Sequence, residues 1–310
     1  LAFAASWDLR AWILDLWMYQ AFWPPLVKDV RPFDRLFVQR RSDLTLDDAY
    51  ANAAYIPDAD RFLTYWDETA RSYRDAEHTL GRAQLNQPYG AHPNQVFDLF
   101  FPAGRPVGLM IFVHGGYWLR FGRRDFSHLA QGACSRDWAV ALPSYPLAPG
   151  ASIPQITQSV SLAINQIARR IPGPIVLAGH SAGGHLVARM GQGDSGLSCE
   201  TRTRIQTIVP ISPVADLRPL MQTEMNGPLG LTEDIAKAES PALHRAPKGV
   251  RTHVWVGADE RPAFLEQAQL LAKNWQSSLT IEPGKHHFDI ISGLENPESE
   301  LLEAMLGPAS

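Results

Sequence analysis

Short apolar runs alternate with longer segments of helical periodicity from about residue 95 to the end of the chain. The runs have the length of buried strands and lie at residues 107–113, 138–142, 175–179, 205–211 and 253–256. Segments with helical spacing separate them, at residues 125–136, 152–170, 182–191 and 263–276. Strands that alternate with helices form parallel βαβ units, so the pattern predicts an α/β fold with a doubly wound, mostly parallel sheet flanked by helices. Residues 95–101 and the stretch before them are predicted to add antiparallel edge strands.

The first 45 residues have a different pattern. They hold four of the nine tryptophans, Trp7, Trp12, Trp17 and Trp23. The spacing i, i+3, i+4, i+7, i+8 predicts an amphipathic helix with one apolar stripe, made of Leu9, Trp12, Ile13, Leu16 and Trp17. Pro24-Pro25 would end it. We therefore divide the chain into an N-terminal amphipathic helical extension, residues 1–45, and a main domain, residues 46–310.

Three interpretations of this helix remain open. It packs on its own domain, it covers the functional site, or it joins a second subunit in a homo-oligomer. Attachment to a membrane surface is disfavoured, because Asp8 and Asp15 accompany Arg10 where a basic face is expected.

Composition excludes several classes of protein. With 45% apolar and 19% charged residues among 310, the chain can bury a large core and is not disordered. Its 28 Lys and Arg against 32 Asp and Glu give a net charge of −4 without a long basic run, so no nucleic-acid partner is expected. Residues 138–168 carry no charge, but prolines interrupt them, so no membrane span is expected.

The two cysteines bear on redox compartment. Cys134 and Cys199 make neither a disulfide framework nor a Cys-x-x-Cys zinc spacing. We therefore expect a reducing, cytoplasmic location. The alternatives are a single bridge between these two residues, or a secretion signal ending at residues 1–5, which lacks a preceding basic region.

The strongest chemical signal is Gly-His-Ser-Ala-Gly at residues 179–183. It lies between a predicted strand and a predicted helix, the context in which G-x-S-x-G forms a sharp turn that raises the serine hydroxyl above the sheet. The helix that follows favours developing negative charge at its N-terminus. Ser181 is therefore the predicted nucleophile.

A second signal is His-Gly-Gly-Tyr-Trp at residues 114–118, directly after a predicted strand. Acyl transfer needs backbone N–H donors aimed at the tetrahedral oxyanion, and glycines let a loop approach that closely. The predicted oxyanion hole consists of the N–H groups of Gly116, Tyr117 and Ala182.

The side chains of this loop have roles other than donating to an oxyanion. His114 is interpreted as a structural brace for the loop rather than as a base. Tyr117 and Trp118 form either an aromatic wall for the substrate or simple packing, and Trp118 is the predicted substrate-binding residue.

Two pairs of adjacent residues, His286 with His287 and Asp259 with Glu260, supply candidates for the base and the acid of a serine hydrolase. A serine hydroxyl needs a histidine to accept its proton, and His286 and His287 both follow the short strand Ser-Leu-Thr-Ile. Asp259 and Glu260 lie on the turn after another strand, where a carboxylate can orient that histidine. Adjacent loop histidines without an H-E-x-x-H motif do not indicate zinc, so no metal is expected. The order serine, acid, histidine is that of α/β-hydrolases.

Four motifs make the resemblance specific: the loop at residues 114–118, GHSAGGHL at 179–186, HHF at 286–288 and YPLAP at 145–149. The sequence resembles the α/β-hydrolase superfamily, and within it the branch of kynurenine formamidases (arylformamidases) and related small esterases. The YPLAP segment is similar to one in hormone-sensitive-lipase-like esterases. The resemblance runs from about Asp47 to the C-terminus and implies the α/β-hydrolase fold and a small-molecule substrate.

The resemblance also selects within the ambiguous pairs. The acid of that branch stands two residues before Pro-x-Phe, which here implies Glu260, and its histidine directly precedes Phe, which implies His287. Formamidases commonly have Asp at the acid position, so Asp259 stays the alternative acid.

We therefore expect a cofactor-independent serine hydrolase that cleaves small carboxylic esters through an acyl-enzyme intermediate. The first alternative is an arylformamidase that hydrolyses N-formylkynurenine. The family resemblance favours it, whereas Glu260 and the unusual N-terminus favour a generic esterase. A non-catalytic binding protein on a hydrolase scaffold is disfavoured, because neither the serine nor the histidine is lost.

Overall fold

The predicted strands form one mixed sheet in the computed structural model, which describes residues 45–308. The strands are β1 Ala83–Pro88, β2 Val96–Phe100, β3 Gly108–Val113, β4 Trp138–Pro143, β5 Ile175–His180, β6 Ile205–Ile211, β7 Arg251–Gly257 and β8 Ser278–Glu282. Their order in the sheet is β1-β2-β4-β3-β5-β6-β7-β8. The pairings from β4 through β8 are parallel, whereas β1 with β2 and β2 with β4 are antiparallel. The predicted fold class and the antiparallel strands at one edge are thus confirmed.

Helices cover both faces of this sheet. They are α1 Leu46–Tyr50, α2 Ala59–Thr79, α3 Gln131–Cys134, α4 Ile153–Ala168, α5 Ala182–Met190, α6 Cys199–Arg204, α7 Asn226–Leu229, α8 Glu233–Ala238, α9 Pro262–Trp275 and α10 Glu300–Leu306. Short 3-10 turns occur at Ala53–Tyr55, Arg123–Asp125, Ser127–Ala130, Arg218–Gln222, Pro241–Leu243 and Ile290–Glu295.

Two differences from the sequence-based expectation have physical reasons. The helix expected at residues 125–136 is broken into 3-10 turns and the four-residue α3, because residues Ser127–Ala130 are buried on every side rather than on one stripe. Helix α2 was not predicted, because only Trp66 and Ala70 of its 21 residues are buried. Its core-facing apolar residues, Phe62, Leu63, Trp66 and Tyr73, recur at helical spacing but form only a narrow stripe among polar residues.

The core lies on both faces of the sheet, as β3 illustrates. Leu109 and Ile111 pack into one apolar cluster with α4 and α5, and Met110 and Phe112 pack into another with α10. All six residues of β3 are buried, as are all six of β4 and of β5. Continuous burial of central parallel strands fixes their C-terminal ends, where the chemistry-bearing loops begin.

Some predictions concern other parts of the chain. The amphipathic helix lies outside the described residues, so the division at residue 45 stays a prediction. The uncharged residues 138–168 form β4, a loop and α4. None of the helices described here has both the length and the apolar character that a bilayer crossing requires. Cys134 and Cys199 are free thiols, and a cytoplasmic location stays a prediction.

Candidate active site

Ser181 lies on the sharp turn between β5 and α5. Its backbone has φ +56° and ψ −116°, which is rare for a residue with a side chain, and its N–H donates to Ile211 O at 2.9 Å. A Cβ on Gly183 would lie 2.0 Å from Val113 O, and one on Gly179 would lie 2.2 Å from Gly183 O. The glycines of the motif therefore permit an approach of backbones that no other residue allows.

Helix α5 begins immediately after the turn. Ala182 is fully buried. Because it is the first residue of the helix, its N–H has no partner within the helix. The positive end of the helix thus points its first amides toward the turn that carries the Ser181 hydroxyl. Such an arrangement stabilises an anion there.

The loop that follows β3 comes close to the same turn. A Cβ on Gly115 would lie 3.0 Å from Ser181 Cβ, and Gly116 has φ +107°. Tyr117 and Trp118 also have positive φ, +55° and +60°. No acceptor among the described residues takes the N–H of Gly116 or of Tyr117, so both amides are available to a ligand. The structure thus brings the loop of the expected oxyanion donors next to Ser181.

His114 is placed as a brace for this loop. Its ring stacks on Tyr145 with centroids 4.3 Å apart, and its Nδ1 contacts Gly115 O at 2.8 Å. Burial lowers the pKa of His114 to about 4, so the ring is neutral at neutral pH. This placement favours the interpretation of His114 as structural.

Trp118 does not line the site, which corrects the expectation that it binds substrate. Its side chain is fully buried in the core and meets the His185 ring edge-on at 5.2 Å. A side chain without exposed surface cannot touch a diffusing substrate unless it moves. Of the two interpretations of this aromatic, packing is the one its burial supports.

Glu260 and His287 form a buried pair. His287 Nδ1 donates to Glu260 Oε2 at 2.6 Å, and the two side chains belong to residues that are 4% and 7% exposed. The ring of Phe264, on α9, packs 4.3 Å from the His287 ring. His180, the residue before Ser181, lies 4.6 Å from His287 ring to ring. The pair is therefore adjacent to the Ser181 turn.

The other members of the two ambiguous pairs are placed elsewhere. Asp259 is exposed, and its N–H donates to Lys285 O at 2.9 Å. His286 is partly exposed, and its Nδ1 accepts the N–H of Phe288 at 3.1 Å. Of the four candidates, the structure brings Glu260 and His287 together and leaves Asp259 and His286 outside that contact.

Sequence reasoning missed Ser212, the residue after β6. Its hydroxyl donates to Glu260 Oε1, which also accepts the Gly257 N–H at 2.9 Å. Ser212 is fully buried and has φ +47°. Nothing in the local sequence marks it, because the contact joins residues 48 positions apart.

Sequence reasoning also missed the contacts of residues 45–56, hereafter the N-terminal strap. Tyr117 donates its hydroxyl hydrogen to Tyr50 O at 2.9 Å, and Asn52 Nδ2 donates to the Tyr117 oxygen at 3.2 Å. Asp48 forms an ion pair with Arg261 at 2.7 Å. The strap therefore holds both the loop of residues 114–118 and the turn that carries Glu260.

Two titratable groups close to the pair, His180 and Tyr117, have pKa values shifted toward their neutral forms. Burial, together with His287 nearby, lowers the pKa of His180 well below its ordinary value, so His180 stays neutral. Burial raises the pKa of Tyr117, and the charge of Glu260 adds to the effect. In residues 45–308 no cluster of three or more His, Cys, Asp or Glu side chains could hold a metal ion.

Comparison with known proteins identifies the family of this chain. The model of the α/β hydrolase family matches residues 110–301. Kynurenine formamidase of Salmo salar is 30% identical over 249 residues, which are 74% of this chain and 84% of that protein. Kynurenine formamidase of Drosophila melanogaster is 26% identical, over 67% of this chain and 75% of that protein.

Solved structures give the same fold. A protein of Silicibacter sp. TM1040, provisionally described as a thioesterase, has a TM-score of 0.82 and 49% identity, covering 84% of this chain and 98% of that one. Esterase B of Lactobacillus rhamnosis, inhibited by a tributyrin phosphonate, has a TM-score of 0.58 at 17% identity, over 79% of this chain and 92% of that one. The latter likeness shows the fold alone. The chain belongs to the α/β-hydrolase family, within which its sequence is similar to those of kynurenine formamidases.

Proposed function

We propose that this hydrolase cleaves small carboxylic esters through an acyl-enzyme intermediate, with Ser181 as nucleophile, His287 as base and Glu260 as the orienting acid. The observation that supports this most is the buried pair of His287 and Glu260 beside the strained Ser181 turn. A histidine held at Nδ1 by a carboxylate has the tautomer whose Nε2 accepts a proton. Chemistry by these three side chains needs no cofactor.

The first half of the reaction forms the acyl-enzyme. Ser181 Oγ attacks the carbonyl carbon while His287 Nε2 accepts the hydroxyl proton. The N–H groups of Gly116, Tyr117 and Ala182 bind the resulting oxyanion. The intermediate then collapses, the bond to the leaving alcohol breaks, and His287 returns the proton to that alcohol.

The second half releases the acid. Water, deprotonated by His287, attacks the acyl carbon, and the same amides bind the second oxyanion. Collapse breaks the bond to Ser181 Oγ, which regains its proton from His287. Glu260 stays ionised throughout and stabilises the cationic form of the histidine.

A second candidate is an arylformamidase acting on N-formylkynurenine. The similarity to kynurenine formamidases over about three quarters of the chain supports it. The same three side chains would cleave the formamide C–N bond, with an arylamine as leaving group. The substrate in either case is a small molecule, and a homo-oligomer stays a prediction.

The discriminating experiment compares kcat/KM on p-nitrophenyl acetate, on N-formylkynurenine and on a short acyl thioester. We expect the oxygen ester to be turned over best. A kcat/KM at least ten times higher on N-formylkynurenine would replace the ester proposal by the formamidase one.

A fluorophosphonate probe tests the serine mechanism itself. Labelling is expected at Ser181 and is expected to disappear in Ser181→Ala, which should retain its fold and lose nearly all turnover. Wild-type turnover in Ser181→Ala would contradict both candidates, and an unlabelled, inactive wild type would favour a binding protein.

A further inference from the structure

Both oxygens of the Glu260 carboxylate are engaged. Oε2 accepts the Nδ1–H of His287 at 2.6 Å. Oε1 accepts the Ser212 hydroxyl and the Gly257 N–H, the latter at 2.9 Å. The Gly257 amide belongs to the same turn as Glu260, so it follows any movement of that turn. The Ser212 hydroxyl comes from the loop after β6, and it is the only side chain in the described residues that bonds Oε1.

Ser212 is itself held in one place. It is fully buried, and its N–H donates to Trp255 O, on β7, at 2.7 Å. Its φ of +47° is in the left-handed region, which costs energy for a residue with a Cβ and persists only where the surroundings enforce it. A strained serine whose hydroxyl points at the carboxylate of a candidate acid suggests a functional constraint at that position.

We propose that Ser212 is a positioning residue, whose hydroxyl fixes the Glu260 carboxylate so that Oε2 faces His287. This inference rests on the proposed function, in which Glu260 orients His287. It assigns to Ser212 no contact with substrate.

Among the described residues, none of the other groups around the pair bonds Oε1 of Glu260 through a side chain. Arg261, the next residue, forms its ion pair with Asp48 instead. His180 faces His287 from the Ser181 turn and is neutral because burial lowers its pKa. Tyr117 donates its hydroxyl hydrogen to Tyr50 O. The rings of Phe264, on α9, and of Phe288 also face the His287 ring, and neither side chain carries a donor.

The direction of the effect follows from the charge. A donor on Oε1 spreads the negative charge of Glu260 and weakens its attraction for the proton shared with His287. Without that donor the pair binds its proton more tightly, so the histidine becomes free to act as a base only at higher pH. The acid limb of the kcat/KM profile therefore moves to higher pH when the Ser212 hydroxyl is removed.

The test uses two variants and one control in the full-length chain. Ser212→Ala removes the hydroxyl, and Ser212→Gly also removes the Cβ that is strained at this φ, which protects against a folding failure. Ser240→Ala is the matched control, because Ser240 is equally buried and its hydroxyl bonds Leu217 N, Ala236 O and, at 3.5 Å, Asp216 Oδ1 rather than Glu260.

The expected result is a shift of the acid limb by about one pH unit upward in both Ser212 variants, since hydrogen bonds to charged groups have about that effect. Their kcat/KM at the optimum is expected to fall about tenfold. Ser240→Ala is expected to lose stability without moving the limb. An unmoved limb in both Ser212 variants would overturn the proposal, even if activity fell, because a purely structural role lowers activity without changing proton affinity.

A spectroscopic measurement separates this proposal from the proposed function. The His287 Nδ1 proton, assigned by its loss in His287→Ala, should move downfield in the NMR spectrum of Ser212→Ala, because Glu260 then becomes the stronger acceptor. If the wild type hydrolyses none of the substrates, the proposed function fails, and this resonance still decides the role of Ser212. An unchanged resonance overturns that role.

Discussion

The side chains of Glu260 and His287 show how burial strengthens one hydrogen bond. Removing water from both groups strengthens the bond between them, and it also makes the loss of either partner costly. Asp259, one residue away, is exposed and has no such contact. Two neighbouring carboxylates therefore have different chemistry because one points inward and one outward.

This contrast predicts the effects of two matched substitutions. Glu260→Gln keeps the size of the side chain but removes the charge that stabilises the His287 cation, so kcat is expected to fall by about 10³–10⁴. Asp259→Asn should change kcat less than about twofold, because an exposed charge in water has little effect on its surroundings. Steady-state kinetics on the best substrate measure both. Comparable losses in the two variants would show that the acid has been misassigned.

At the scale of elements, two neighbouring connections, the loop after β3 and the turn between β5 and α5, carry the proposed oxyanion donors. The loop after β3 has three consecutive positive φ values, at Gly116, Tyr117 and Trp118, and its Tyr117 hydroxyl is bonded by the N-terminal strap. Such a backbone is held in place by contacts from outside the loop, since the residues themselves do not favour it.

Tyr117→Phe tests the importance of that outside contact. The substitution keeps the N–H of residue 117 but leaves Tyr50 O without its donor, so kcat is expected to fall about tenfold with little change in KM. The control is Tyr89→Phe, which removes another buried hydroxyl, bonded to Ser144 O at 2.6 Å. Both variants should lose about 1 kcal/mol of stability. If kcat falls equally in both, the strap has no special role in the loop.

The turn between β5 and α5 imposes a steric requirement of its own. Gly183→Ala would improve helix propensity by about 1 kcal/mol on an open surface, but here the new Cβ would lie 2.0 Å from Val113 O. We expect it to lower the free energy of unfolding by several kcal/mol, on the order of 3. Gly227→Ala is the control, because a Cβ there meets nothing within 4 Å. Urea unfolding of the two variants measures the difference, and equal stabilities would refute the steric argument.

The same elements show what a sequence can and cannot predict. The strands and the Ser181 turn could be predicted, because burial of a strand and the turn's glycines are local patterns. The choice of Glu260 and His287 rested on resemblance to a family, and the structure places these two in contact. The bonds of Ser212 to Glu260 and of Tyr117 to Tyr50 join residues 48 and 67 positions apart, and no periodicity encodes such pairs. Trp118 was misjudged because an aromatic beside an active-site loop looks the same in sequence whether it faces substrate or core.

At the scale of the whole molecule, the described residues bury several histidines in neutral form. Burial lowers the pKa of His114, His128 and His185 to about 4 in each case. In the unfolded chain these residues take up protons near pH 6.5. Between those two values the unfolded state binds more protons than the folded state, so the stability that is present above pH 6.5 is lost as the pH falls toward 4.

His128→Phe offers the cleanest test of this linkage. His128 is fully buried, both of its ring nitrogens lack hydrogen-bond partners in the described residues, and its Nε2 lies 3.9 Å from Glu295, too far for a hydrogen bond. Each such histidine should make the free energy of unfolding fall by about 1 kcal/mol per pH unit between pH 6.5 and 5. His128→Phe should reduce that slope by about the same amount, whatever its effect on stability at pH 8. Urea unfolding at half-unit pH intervals provides the slopes, and identical slopes in the wild type and His128→Phe would mean that burial does not lower the pKa of His128.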